Sequence, residues 1–127
     1  MADVVVVTDA GMAIITNRMS AAGTEPKHVA WGTGTTSPVA GNTALETAAA
    51  ESRTDGTATR VTTNVTNDTY QVAGTITCAG TAKAITEVGL FDASTVGNML
   101  MRATFDAINV SVGDSIAFTI KVVFDQA

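Results

Sequence analysis

The side chains able to do chemistry in this 127-residue chain are few and scattered. His28 is its only histidine and Cys78 its only cysteine. Zinc needs several nitrogen or sulfur ligands, which these two cannot supply, and one cysteine allows no intrachain disulfide. A lone histidine beside a strand is ordinarily a packed or surface residue rather than a catalytic base. Ser20, Ser37 and Ser52 sit in no nucleophile-elbow frame and have no base and orienting acid at a recognisable spacing. Asp92, Asp106, Asp114 and Asp125 fall near expected turns, where a carboxylate accepts from nearby backbone amides, and their spacing does not gather the oxygens of a calcium site. Glu87 and Asp92 are the carboxylates that an acid–base reaction would have to use. The stretch Trp31-Gly-Thr-Gly-Thr-Thr has the glycines of a phosphate-cradling loop, but a P-loop ends in Gly-Lys-Ser/Thr before a helix, and no lysine follows here. No catalytic, cofactor-binding or metal-binding residue is expected, and the chain reads as a non-enzyme. A glycan-binding module is a further class, but it wants several surface aromatics to stack on sugars, and this chain has one Trp and one Tyr.

Composition narrows the class further. Hydrophobic residues make up 46% of the chain and charged ones 15%, which is too apolar for a disordered segment. No apolar run reaches the roughly 18 residues of a spanning helix, so no membrane segment is expected. The N-terminus lacks the basic region of a secretion signal, which places assembly in a cytoplasm. A net charge of -5 with scattered basic residues argues against nucleic acid, because phosphate contacts need clustered Lys or Arg. The 22 threonines favour pleated, half-exposed strands over helix.

The elements that must position these residues follow from periodicity. Residues 1–8 read as an extended arm or buried strand around the β-branched run Val4, Val5, Val6 and Val7. Residues 9–21 read as one short amphipathic helix, capped by Asp9, with Met12, Ile15 and Met19 inward and Gly23 as its stop. Residues 28–31 form a short strand that runs into a long loop at 32–41. Thr43-Ala-Leu-Glu46 has capping-box spacing and predicts a helical turn through Ala48. From residue 57 the period becomes two. Val61, Thr63 and Val65 share a face; Asn67-Asp68 turns the chain; Tyr70, Val72, Gly74, Ile76 and Cys78 point inward. Strands follow at 84–91 and from Met99 to Phe105. Residues 105–112 and 115–124 then read as a hairpin about Gly113-Asp114, with Ile116, Phe118, Ile120, Val122 and Phe124 on one face. The expected architecture is a single mainly-β domain over residues 1–127, an antiparallel β-sandwich or jelly-roll-like barrel with one short N-terminal helix and its main sheet region at 57–125.

A core with six aromatics and many alanines leaves a small stability margin, so association with partners and a homo-oligomer are expected. The candidate protein-interface residues are Val4, Val5, Val6 and Val7 in the arm, which could add to a neighbour's sheet edge, and Trp31, Thr33, Thr35, Thr36 and Pro38 in the loop. Each has a bland reading: the valines as an internal strand, and the only Trp of a small domain as core.

The C-terminal half carries a resemblance. Ala84-Ile-Thr-Glu-Val-Gly-Leu-Phe-Asp92, Asn98-Met-Leu-Met-Arg-Ala103 and Val112-Gly-Asp-Ser-Ile-Ala-Phe-Thr-Ile-Lys-Val-Val-Phe124 resemble tailed-bacteriophage virion structural proteins. The Ile-Thr-Glu-Val-Gly-Leu-Phe-Asp pattern is similar to the attachment domains of tail-collar fibre proteins. Trp31-Gly-Thr-Gly-Thr-Thr-Ser-Pro and Thr43-Ala-Leu-Glu46 resemble short virion proteins, including capsid decoration (cement) proteins. The resemblance implies a non-enzymatic virion protein whose partners are the major capsid protein or other virion proteins. Without coiled-coil heptads or collagen-like repeats after Phe124, the preferred expectation is a decoration protein on the capsid surface. The alternative is a tail or baseplate adaptor or fibre-attachment protein.

Overall fold

Strands form where β-branched and other apolar residues recur at alternate positions or in short runs. The computed structural model describes residues 3–126. One sheet is built in the order β1 (Val4–Val7), β7 (Met99–Val110), β6 (Lys83–Phe91), β2 (His28–Gly32) and β3 (Thr54–Asp55). The second has the order β4 (Thr57–Val61), β5 (Thr69–Thr77) and β8 (Ser115–Val123). All pairings are antiparallel. Both sheets keep free edges, so the mainly-β fold with one helix is a sandwich and not a closed barrel. No helix among the described residues is long and apolar enough to cross a membrane.

Register explains the core. Val5, Ala103, Val88 and Trp31 form one row across the larger sheet, on the face that packs against the second sheet. There the Phe118 ring meets Trp31 edge-on at 6.5 Å and lies 6.3 Å from Phe105, the arrangement the ring quadrupoles favour. The next row, Val4, Thr104, Glu87 and Gly32, points to the opposite face, which residues 33–53 cover. Leu45 from that segment packs with Ala30, Phe91 and Met99. Covered on both sides, β6 is buried continuously from Ile85 to Phe91 and β7 from Met99 to Thr104. The second sheet is covered on one face only, and β5 and β8 alternate as their sequences predict.

Four local expectations are corrected. The helix, α1 (Asp9–Met19), stops two residues short of 21; Thr8 caps it, accepting from the Gly11 amide, and Ser20 ends it. Its buried residues are Gly11 and Ile14, while Met12 and Met19 are 59% and 82% exposed. The face turned to the core is set by Gly11, the one residue small enough to lie on the Leu100 backbone. No helical turn forms at 43–48, because the Glu46 carboxylate accepts from the amides of Thr35 and Thr36 instead of completing a capping box. β4 ends at Val61 and does not continue to Val65: the Asp68 carboxylate gathers the amides of Thr63, Asn64 and Val65 into a turn. Gly113-Asp114 is not a hairpin turn, since β7 and β8 lie in different sheets. The crossing is fixed by paired backbone bonds from Cys78 to Asp114 and from Gly113 to Cys78, which set it beside the crossing from β5 to β6.

Gly11 yields a test in which two effects oppose. Alanine is the better helix former by about 1 kcal/mol, but its Cβ would stand 2.2 Å from the Leu100 carbonyl oxygen. Backbone cannot give way cheaply, so Gly11→Ala is expected to lower stability by about 1–3 kcal/mol in urea unfolding, and a stabilised variant would refute this packing.

Candidate docking site: a glycine-rich loop clasped by buried carboxylates

Glu87 and Arg102 are the lone charges of two otherwise apolar stretches of strand. On adjacent strands they lie diagonally on one face, since Glu87 opposes Thr104 and Arg102 opposes Gly89. Both are sealed from water, and Arg102 Nε donates to Glu87 Oε1 at 2.8 Å. A carboxylate so placed must find further donors, and it finds them in the covering loop. Gly34 and Thr47 donate their amides to Oε2 at 2.8 Å each, and Glu46 donates its amide to Oε1 at 2.9 Å. Burial works to raise the Glu87 pKa, but the three amides and the guanidinium outweigh it and hold the carboxyl below its ordinary value.

This contact explains the glycines of the Trp31-Gly-Thr-Gly motif. A Cβ at Gly34 would stand 2.5 Å from Glu87 Oε2, and one at Gly32 would stand 2.3 Å from the Thr47 carbonyl and 2.6 Å from Oε2. The anion that these amides hold is the protein's own Glu87 carboxylate. Other bonds complete the clasp. Thr86 Oγ1 donates to the Gly34 carbonyl, Arg102 Nη1 donates to Asn42 Oδ1, and Thr33 and Ala49 bond across to Thr47 and Trp31. At the tip, the hydrogen bonds from Thr36 and Thr35 hold the Glu46 carboxyl below its ordinary value.

Two further anchors tie down the end of the segment. Trp31 Nε1 donates to Glu51 Oε1, while Glu51 Oε2 accepts from the Ala79 amide and from Lys83. Burial would raise the Glu51 pKa, yet these donors bring it down from 4.5 to about 2. Arg53 stacks its guanidinium 3.6 Å from the centre of the Phe91 ring and donates to the carbonyls of Ala93 and Val96. Asp92, weighed as an acid–base group, accepts from the Asn98 amide across the 92–98 loop, and Glu87 is locked in its ion pair. Among the described residues no three His, Cys, Asp or Glu side chains converge as metal ligands would.

The candidate interface residues separate by position. Val4, Val5, Val6 and Val7 are β1 of the chain's own sheet, so the bland reading of that run is the observed one; Val5 is nevertheless 64% exposed. Trp31 and Pro38 are buried, Thr33 is half-buried, and Thr35 and Thr36 stand exposed at the loop tip with Val39. The sequence reading weighed Glu87 as an acid–base group and Glu46 as a capping residue, and missed that both hold this loop. The signal of the buried pair was present: a single acid in Ile85-Thr-Glu-Val-Gly-Leu-Phe and a single base in Met99-Leu-Met-Arg-Ala, each in an otherwise apolar or neutral run.

Removal of one partner should separate the clasp from an ordinary ion pair. Arg102→Met is expected to lower stability by about 3–5 kcal/mol by stranding the carboxylate. Replacing both residues with Met often restores stability where a pair stands alone, but here it leaves the amides of Gly34, Glu46 and Thr47 without an acceptor, at about 1–3 kcal/mol each. Urea unfolding reads both variants, and a double variant as stable as the native chain would contradict the clasp. Acid titration gives a second check. Glu51 and Glu87 have folded pKa values below their unfolded ones, so the unfolded state binds more protons as pH falls. The Glu51 contribution is complete above about pH 4.5 and is lost as pH drops towards 2, and that of Glu87 is lost in the same direction. Tm is expected to fall across that window, and Glu51→Gln to flatten the fall; an unchanged slope would remove Glu51 from the account.

Comparison with known proteins bears on this fold directly. A family model described as Podophage GP4 fiber I protein gp80 matches residues 9–123. No curated protein and no solved structure matches. The matched span runs from the first residue of α1 to the last of β8 and contains every residue of the clasp. On that match, the chain belongs to the podophage GP4 fiber I protein gp80 family and is a virion structural protein of tailed phages.

Proposed function

We propose that the chain is a docking component of the podophage tail fibre, a non-enzymatic attachment piece that joins the fibre to neighbouring virion proteins. The observation that carries this reading is the family match, whose description names a fibre protein. The fibre description supports a place in the tail, the alternative to the capsid surface. The geometry supports a docking role. The tip at Thr35, Thr36 and Val39 is exposed; the exposed Glu46 carboxylate accepts from the Thr35 and Thr36 amides, and the segment behind them is held by the buried Glu87 carboxylate. Such a loop is ordered before it meets a partner, so little conformational entropy remains to be lost on association. In this reading Thr35 and Thr36 contact the neighbour, with Trp31, Thr33 and Pro38 supporting them from beneath.

Purified chain offered to tails and, separately, to expanded heads lacking it tests the placement. Saturable binding to tails is expected, weakened by a Thr35→Lys/Thr36→Lys variant that unfolds at the native temperature. Saturable binding to heads alone would reverse the reading in favour of a decoration protein.

A further inference from the structure

The larger sheet is wider than the sheet that covers it. Gly74 of β5 packs against Val29 of β2, and Phe118 of β8 sits between Trp31 of β2 and Phe105 of β7. β8 therefore runs above β6, and the inner face of β7 and β1 extends past it. The cross-sheet row shows where cover ends: Trp31, Val88 and Ala103 are 2%, 4% and 7% exposed, and Val5 is 64% exposed. A groove of about 540 Å³ opens there, with Val5, Ala103 and Phe105 on its floor and Ile116, Phe118 and Ile120 on its wall.

That wall is a free edge. Phe124 donates to Asp68 and Cys78 donates to Asp114 in the same register as the β5–β8 ladder. The even-numbered residues of β8 thus turn their backbone groups to β5, and those of Ala117, Thr119 and Lys121 point outward, because antiparallel pairs alternate. Over its 9 residues β8 carries no proline, its ladder shows no bulge, and its only charge is Lys121, so it has little of the protection that edge strands usually have.

We infer that an extended segment of another virion polypeptide adds to β8 as a strand and lays alternate apolar side chains on the floor formed by Val5, Ala103 and Phe105. The groove lacks one or two strands of cover, and a lone strand fits that space. A second copy presenting the same edge does not fit, because its overhanging β7 and β1 would enter the space held by this copy's own. The chain's first strand cannot fill the groove either, since β1 is already paired with β7. Charge completes the description of the partner. Lys121, the only charged residue of β8, is exposed on its outer face, so the incoming strand carries an acidic residue at the outward position opposite it.

The inference rests on the docking reading, though not on the choice between head and tail. A photo-crosslinking amino acid at position 119, in chain assembled into particles, tests it when the crosslinked peptides are identified by mass spectrometry. The expected product is one segment of a different virion protein, apolar at every second residue and bearing an acid. Crosslinks to a second copy alone, or none, overturn the inference, while binding of the chain to tails would still stand. Thr119→Pro removes an amide that β5 does not use, and Val5→Asp alters an exposed floor residue. Each is expected to keep the native melting temperature and to cut incorporation into particles by about tenfold or more. Unchanged incorporation of the folded Val5→Asp variant also overturns it.

Discussion

A carboxylate removed from water must be surrounded by donors or lose its charge, and the fold around Glu87 is arranged to meet that demand. Its four hydrogen bonds come from Arg102 on the neighbouring strand and from the backbone of a loop far away in sequence. Two consequences follow at once. The loop must approach so closely that Gly32 and Gly34 admit no side chain, and β6 and β7 must lie between two layers. The continuous apolar burial of their central residues, the docking of Leu45 on Phe91 and Met99, and the exposure of the Thr35–Thr36 tip all depend on the loop being held there.

The same layering separates a rigid face from an open one. On the loop side, ion pairs and amide bonds fasten the covering segment at Glu46, Glu51, Arg53 and Glu87. On the other side the smaller sheet stops short, leaving an apolar strip and an unpaired ladder edge beside it. The two faces thus differ: an exposed threonine tip stands on a fastened loop on one, and an apolar strip lies beside the free edge of β8 on the other.

How much of this was legible in the sequence depends on how many faces each element covers. β5 and β8 alternate because each has one wet face, so Tyr70, Val72, Ile76, Phe118 and Ile120 were placed correctly from period alone. β6 gives no alternation, since both its faces are covered, and Glu87 inside it was weighed only as an acid–base carboxylate. The helix was found but its phase was not: periodicity ranks Met12 and Met19 above Gly11, whereas close approach to Leu100 decides the buried face. Thr43-Ala-Leu-Glu46 and Gly113-Asp114 misled for a common reason. Each is a valid local signal, overridden by a partner that local spacing cannot show, namely Thr35 and Thr36 for the first and Cys78 for the second. The glycine-rich motif was weighed as a phosphate loop and set aside for want of a lysine; the group its Gly34 amide does hold, an acid 53 residues further on, lies outside any local window.

The clasp makes a demand on individual amides that hydrogen exchange can read one residue at a time. The amides of Gly34, Glu46 and Thr47 lie in a segment without regular secondary structure, where exchange is ordinarily fast. If Glu87 holds them as described, all three exchange only as slowly as the β6–β7 ladder beneath, and together. Rapid exchange at these three amides, with the ladder still protected, would contradict the account.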